Sequence, residues 1–424
     1  MSVRAGIVVT GTEVLTGRVT DRNGPWISER LGELGVDVAH ILCVGDRPDD
    51  VLAALGFMAS EGMDLVVTSG GLGPTADDLT ADAVARFAGV EMVLDESMEE
   101  KIAAVLRGFA RRFRFDPEAL REANRKQAMV PEGSTTIDPA GTAPGLVVEA
   151  GEVTVIVLPG PPRELQAMWP HAIDTKQVKS VLEGAGQLHG YTLRLFGIPE
   201  SEIAKSLREI EETVSLGELE IITCLRGGEL EVDVRYREPA GSVAETLREA
   251  LIERHARHLF SADGSTIDDQ VARLLAGRRL GLAESCSAGM LAARITRVPG
   301  SSDYFAGGIV SYSNDSKVEL LDVPRELIAE HGSVSPEVAR AMAEGALQRF
   351  DADVSCAVTG IAGPGGGTED KPVGYVCFCA MTADGESIER DPVIPGGRED
   401  IRERSALVAM HMLRVLLGGD EPPL

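Results

Sequence analysis

Residues 3–10 (VRAGIVVT) form an almost unbroken apolar run that ends in Gly11-Thr12-Glu13, as expected of a strand buried on both faces. Residues 23–34 return apolar side chains at helical spacing and stop near Gly35. A second strand is predicted over 36–44, closing on Gly45-Asp46, then a helix over 49–60. A third strand over 64–68 (DLVVT) opens into the loop from Ser69 to Leu79, and a helix follows over 80–88. Alternation of this kind predicts a mostly parallel, doubly wound sheet, whose ligands sit at the carboxyl ends of the strands. Glu13, Asp46 and the 70–78 loop all fall at such ends. Helices over 101–112 and 117–129 come next. A hairpin of 146–149 with 153–158 then runs into the stiff turn Pro159-Gly160-Pro161-Pro162, and a first domain is predicted over 1–170.

The pattern changes over 171–260. Strands over 191–196, 219–224 and 230–237 mix with helices over 200–213 and 242–258, which describes a small α+β module. His255 and His258 share a helix face there, but no other metal-ligand side chain is near in sequence, and the module reads as a spacer or interface module. A second α/β domain is predicted over 261–424. It has helices over 267–276 and 290–297 and strands over 278–284, 307–313, 352–358 and 373–381. Asn314 is the expected cap of the helix carrying Lys317. Ser335 is the expected cap of the next helix, with Pro336 at its first position, and an amphipathic helix is expected over 400–417. The predicted fold class is α/β, with two doubly wound α/β domains joined by the α+β module.

Composition narrows the function. The chain has 424 residues and a formal charge of −26, which opposes direct binding to nucleic acid or to an anionic membrane. No apolar run is long enough to span a bilayer. The six cysteines are scattered without a CxxC pair, so buried free thiols and a cytoplasmic setting are expected. Lysine is scarce: only seven of the 41 basic residues are Lys, and from residue 261 onward only Lys317 and Lys371 occur.

Against that background the turn Ala283-Glu284-Ser285-Cys286-Ser287-Ala288-Gly289, between a strand and a helix, carries two readings. Ser285 or Ser287 caps the helix, or Ser285 is a nucleophile beside backbone N–H groups that can hold an oxyanion. The second domain has no HExxH, GxSxG, Walker loop or SxxK, and its histidines (His331 and His411) are poorly placed for a triad. A serine nucleophile therefore needs another base. A desolvated lysine can serve and an arginine cannot, which singles out Lys317, with Tyr312 close by. The loop Thr359-Gly360-Ile361-Ala362-Gly363 offers free N–H groups, and Arg398 follows two glycines where it can clamp a phosphate. In the first domain, Gly71-x-Gly73-x-x-Ala76 formally matches a dinucleotide fingerprint. Pro74 and the Asp77-Asp78 pair fit that reading less well than a glycine loop for phosphates with a divalent cation between phosphates and carboxylates.

Together the motifs GTEVLTG, SGGLGPTADDLT, NRKQAMVPEG, GTAPG, LPGPPRE, AESCSAG, YSNDSK, VTGIAGPGGG and KPVG resemble the CinA family (competence/damage-inducible protein) over nearly the whole chain. The resemblance implies a molybdopterin-binding-like domain at 1–170, a KH-type module at 171–260 and a nicotinamide mononucleotide deamidase domain at 261–424. It implies that Ser285 attacks the carboxamide, Lys317 takes the proton, and Tyr312 orients the pair or assists proton transfer. The N–H groups of Cys286, Ser287 and Gly289 would hold the oxyanion, while Thr359, Gly360, Gly363 and Arg398 would position substrate. It implies no cofactor for the deamidase. For the first domain the resemblance implies ADP-ribose hydrolysis with Mg, Mn or Co. Glu13, Asp46 and Asp78 would contact the metal or water, and Gly70, Gly71, Gly73 and Asp77 the phosphates. It also implies a homodimer. The other reading is a molybdopterin- or nucleotide-binding interaction protein, linked to competence or DNA repair, without deamidase activity. The family's turn is ESCTGG, and Ala288 stands here in place of a glycine.

Overall fold

The computed structural model describes residues 3–110 and 117–419, which divide into two compact units, residues 1–188 and 189–424. The first unit holds a six-stranded sheet in the order Asp37–Val44, Arg4–Thr10, Leu65–Ser69, Val153–Leu158, Gly145–Ala150, Thr135–Ile137. The first four strands run parallel, and the last two are antiparallel additions at one edge. Alternate side chains of each central strand feed opposite cores, as a sheet buried on both faces requires. Ile7, Val9, Ile156 and Leu158 pack against helices Asn23–Glu33, Pro162–Ile173 and Lys176–Leu182. Val8, Val66, Val155 and Val157 pack against Pro48–Ser60 and Thr80–Ala88.

The expected boundary at residue 170 falls inside this unit. Trp169, Ala172 and Val178 are buried in the same core as Ile7, so the chain cannot leave the domain before the second of these helices ends. Of the helix expected over 101–112, residues Arg111 and Arg112 lie outside the described residues. Its described part belongs to Glu96–Ala110.

The second unit contains both the α+β module and the second α/β domain, where two separate domains were expected. Its four-stranded antiparallel sheet has the order Glu220–Arg226, Glu229–Tyr236, His189–Phe196, Leu259–Ser261. The helix expected over 242–258 ends at Arg254. Beyond it His255 bonds Ser206 Oγ at 2.9 Å and His258 Nδ1 meets the Phe196 carbonyl at 3.1 Å, so the two histidines serve different structural contacts.

The five-stranded sheet has the order Phe305–Val310, Leu280–Glu284, Val354–Gly360, Val376–Thr382, Ser387–Arg390, the first three parallel and the rest antiparallel. It is also doubly wound. Val354, Cys356 and Val358 face one core and Ala357 the other, while Cys377 and Cys379 point together into that second core.

The closing helix, Arg398–Gly418, is not amphipathic as expected: Ser405, His411 and Arg414 are buried along with its apolar residues. The α+β module covers its outer side. Phe196 stacks on His411 at 3.8 Å between ring centroids, Phe260 meets it edge-on at 4.8 Å, and His411 Nε2 lies 2.8 Å from Glu229. Phe196 and Phe260 thereby join the core of the α/β domain, which is why the two parts form one unit. All six cysteines are free, and four are buried. Cys43 is exposed and Cys224 half-buried, against the expectation for the set. Among the described residues no helix is long and apolar enough to cross a membrane.

Candidate active site

Strand Leu280–Glu284 is the middle of the three parallel strands and is buried throughout. At its carboxyl end the Ser285 N–H donates to the Val358 carbonyl at 2.8 Å, and the Ser311 N–H donates to the Glu284 carbonyl at 2.8 Å. Ser285 is thus pinned to both neighbouring strands at the sheet edge where ligands of such folds sit. The chain then reverses through Ala288 and Gly289, with φ of +50° and +94°, into helix Met290–Ile295.

Neither serine caps that helix. The buried Glu284 carboxylate does so, accepting from the N–H groups of Gly289 (2.9 Å), Leu291 (3.1 Å) and Ala292 (2.8 Å) and from the Ser287 hydroxyl (2.7 Å). A carboxylate satisfies the orphan donors of a helix start and complements its dipole. The same contacts remove Gly289 from the expected oxyanion donors, and the Ala288 N–H is taken by the Ser285 carbonyl at 3.1 Å. That leaves the N–H groups of Cys286 and Ser287, which lean on the Cys286 thiol. Burial pushes that thiol up to about 11 against their pull.

Ala288 is solvent-exposed and sits in left-handed backbone, which costs a non-glycine residue about 1 kcal/mol or more. Ala288→Gly is expected to raise unfolding stability by up to about 1 kcal/mol, since relief of strain outweighs the greater flexibility of the unfolded glycine. Denaturant melts check this. A loss of stability in the glycine variant would show that the strain is not there.

Lys317 reaches Ser285 from the neighbouring strand end. After strand Phe305–Val310 the chain starts helix Asn314–Leu321, and the cap is Ser313, not Asn314. The Ser313 hydroxyl accepts from the Ser316 N–H at 3.1 Å, and the Ser316 hydroxyl returns the bond. One turn in, Lys317 points inward and is 2% exposed. Its Nζ lies 2.9 Å from Ser285 Oγ and donates to the Ser311 carbonyl at 2.8 Å. Among the described residues no carboxylate pairs with it. Burial disfavours the ammonium and brings its pKa from 10.5 down to about 8, opposed only by the Cys286 side chain.

The pair opens on a cleft of about 250 Å³ lined also by Cys286, Tyr312, Ser333, Val334, Thr359 and the loop 360–366, with Arg398 at its rim. Ser285, Lys317, Tyr312, Cys286, Thr359, Gly360, Gly363 and Arg398 are therefore brought together as expected, while the Ser287 side chain and Gly289 face Glu284 behind the turn. Tyr312 does not touch the Ser285–Lys317 pair through its hydroxyl. That oxygen accepts from Arg398 at 2.8 Å, and Arg398 also donates to the Gly363 carbonyl at 2.6 Å. The Thr359 hydroxyl donates to the Ser333 carbonyl at 2.8 Å, so its first task is to hold that loop at the cleft. Sequence reasoning missed Glu284, Ser333 and Arg402. Arg402 donates to the carbonyls of Cys286 (3.2 Å) and Ser287 (3.3 Å).

The first unit has its own pocket, of about 370 Å³, and it gathers Glu13, Asp46, Gly70, Gly71, Gly73, Asp77 and Asp78, with Gln127, Thr142 and Glu164 unanticipated. The expected metal set does not form there. Among the described residues no three His, Cys, Asp or Glu side chains converge on a point that could hold a metal ion. Asp46 accepts from the Thr12 N–H at 2.8 Å and Asp78 from the Thr75 N–H at 2.9 Å. Asp77 takes the Thr75 hydroxyl, a bond that holds its carboxyl below the usual range. These carboxylates are spent on shaping the loop. The glycines have a packing reason as well: a Cβ at Gly71 would lie 2.0 Å from Thr80 Oγ1, and one at Gly73 2.4 Å from Asp78.

A serine hydroxyl bonded to a buried, unpaired lysine at the carboxyl end of a parallel sheet defines an α/β protein with a serine–lysine centre. Residues 265–417 match the model of the CinA C-terminal domain, and residues 6–177 match that of a probable molybdopterin binding domain. A CinA-like protein of Mycobacterium sp. (strain JLS) is 58% identical over 98% of this chain and 99% of its own, and one of Mycobacterium leprae (strain TN) is 57% identical over 98% and 97%. The chain belongs to the CinA family. A solved structure of competence/damage inducible protein CihA from Agrobacterium tumefaciens is 37% identical, covering 35% of this chain and 94% of that one with a TM-score of 0.34.

Proposed function

We propose that the second unit is an amidohydrolase that converts nicotinamide mononucleotide and water to nicotinate mononucleotide and ammonia. The observation that carries this reading is the 2.9 Å contact between Ser285 Oγ and a lysine amine whose pKa is brought to about 8. In its neutral form that amine accepts the hydroxyl proton as Ser285 Oγ bonds to the carboxamide carbon. The oxygen that becomes negative is met by the N–H groups of Cys286 and Ser287. Lys317, now charged, returns the proton to the departing nitrogen, which leaves as ammonia. Water then attacks the acyl-serine and gives its proton to Lys317, which passes it to Ser285 Oγ as the bond from that oxygen to the acyl carbon breaks, and the product leaves as a carboxylate, its acid proton going to solvent. Arg398 and the start of the helix it begins suit the phosphate at the far end of the substrate, with Gly365 and Gly366 lining the path between.

Incubation with nicotinamide mononucleotide should release ammonia and the deamidated nucleotide in equal amounts. Absence of ammonia from the wild type, or undiminished release by Ser285→Ala, would sink the assignment. For the first unit, the charge of the pocket favours a ligand that brings its own cation: among the described residues five carboxylates line it and no Lys or Arg does. ADP-ribose with a divalent ion and a metal-bound pterin phosphate both meet that description.

A further inference from the structure

We propose that Arg402 is a positioning residue for the oxyanion donors of the Ser285 site. The proposal rests on the serine–lysine reading above. Arg402 lies in the first turns of helix Arg398–Gly418, and its guanidinium spans two consecutive carbonyls of the nucleophile turn. Nε donates to Cys286 O at 3.2 Å, and a second nitrogen donates to Ser287 O at 3.3 Å. The remaining nitrogen donates to Glu399 at 3.2 Å, which fixes the plane of the group.

A trans peptide is planar, and its C=O and N–H point in opposite directions. Holding the Cys286 carbonyl toward the helix therefore sends the Ser287 N–H the other way and sets the tilt of that whole peptide plane. The Ser287 and Cys286 N–H groups are the two in the turn that neither Glu284 nor a backbone carbonyl takes. Glu284 fixes the far side of the turn through Ser287 Oγ and Gly289, and Arg402 fixes the near side. Without it, the 286–287 peptide is free to rotate toward the carbonyls' own preference for water, because Ala288 and Gly289 just beyond it already adopt left-handed backbone. The planar fork matters: a lysine ammonium carries charge but cannot hold two adjacent carbonyls in a fixed plane. The cationic contact also draws electron density from both carbonyls, which makes the Ser287 N–H a stronger donor.

The test uses the full chain with Arg402→Lys and Arg402→Met, the second keeping an apolar stem without the charge. Loss of preorganised oxyanion donors lowers kcat by about 100-fold. KM should stay within about twofold, because ground-state binding is untouched. The pH at half-rise should stay near 8, because Lys317 keeps its surroundings. A kcat retained in both variants, a change confined to KM, or a displaced pH midpoint would overturn the proposal. The last of these would mean that the turn had simply collapsed around Ser285.

A second readout separates this result from the substrate assignment. An alkyl fluorophosphonate forms a bond from Ser285 Oγ to phosphorus, expels fluoride, passes the serine proton to Lys317 and develops the same oxygen charge without any nucleotide. If the wild type is labelled at Ser285 yet leaves nicotinamide mononucleotide untouched, the substrate reading fails. The labelling rates then decide Arg402 alone: slowing of tenfold or more in both variants upholds it, on the order expected for a lost oxyanion donor, and equal rates overturn it. A wild type that is not labelled removes the nucleophile and the proposal with it.

Discussion

Replacing Lys317 with methionine should abolish ammonia release and, at neutral pH, make the second unit harder to unfold. The activity loss follows from the contact at 2.9 Å to Ser285 Oγ, since among the described residues lining the cleft there is no His, Asp, Glu or second Lys to take its place. Removing a general base costs about 10²–10⁴-fold. Lys317→Arg should be as inactive, because a guanidinium does not give up its proton.

The gain in stability follows from the same burial. Folding brings the amine from 10.5 to about 8, and at about 1.4 kcal/mol per pH unit the charged form costs the folded state roughly 3 kcal/mol. Methionine fills similar space and forfeits the bonds to the Ser311 carbonyl and to Ser285 Oγ, worth about 1 kcal/mol each, leaving a net gain of about 1 kcal/mol. The sign with pH is fixed by linkage. Below about 8 both folded and unfolded chains carry the proton, and the penalty is complete. Between about 8 and 10.5 only the unfolded chain carries it, so wild-type stability climbs and the advantage of the variant fades. Melts of the two proteins at pH 7 and pH 10 read this directly. A methionine variant less stable than wild type at pH 7, or an arginine variant with more than about a tenth of the activity, would remove Lys317 from the role of base. In the wild type kcat/KM should rise with pH to a half-maximum near 8.

Lys317 was legible before any coordinates because lysine is almost absent from a region rich in arginine, and its scarcity drew attention to a chemical property arginine lacks. The strand ends were legible for a different reason. Continuous apolar runs such as 3–10 and 64–68 admit few alternatives, and parallel sheets place their sites at one edge. What the sequence could not convey is how the turn around Ser285 is held. Glu284 closes a strand and reads like any surface glutamate, and only the fold shows that its carboxylate is buried under three amides and a hydroxyl. Arg402 is one of many arginines, and the two carbonyls it holds lie more than a hundred residues away. The polar residues of the last helix suggested a solvent face because nothing local announces that Phe196 and Phe260 will cover His411. The resemblance has Tyr312 orient the Ser285–Lys317 pair or assist proton transfer; it lies in the cleft, and its hydroxyl there accepts from Arg398, a partner nothing local in the sequence indicates.

Glu284→Gln should be among the most damaging changes that leave the cleft's own side chains intact. The carboxylate is 1% exposed and accepts four hydrogen bonds, three from backbone N–H groups at the start of helix Met290–Ile295 and one from Ser287. An amide of the same shape replaces one acceptor oxygen with a donor that faces donors. One oxygen accepts three of the four bonds and the other only that of Ala292, so even the better amide orientation leaves the Ala292 N–H facing a donor in a site water does not reach, and the helix dipole loses its counter-charge. Bonds to a buried charge are worth about 1.5–3 kcal/mol each, so a loss of roughly 3–5 kcal/mol is expected for the second unit. The same substitution at the exposed Glu326 should change stability by no more than about 0.5 kcal/mol, which provides the control. Function should fall with the fold of the turn. Ser287 and Gly289 are what Glu284 grips, and with that grip gone Ser285 and the two donor amides no longer share one fixed geometry. Fluorophosphonate labelling of Ser285 at a temperature where the variant is still folded would measure this apart from unfolding. A Glu284→Gln protein that melts within about 1 kcal/mol of wild type and labels at the wild-type rate would show that the turn is held by its backbone alone.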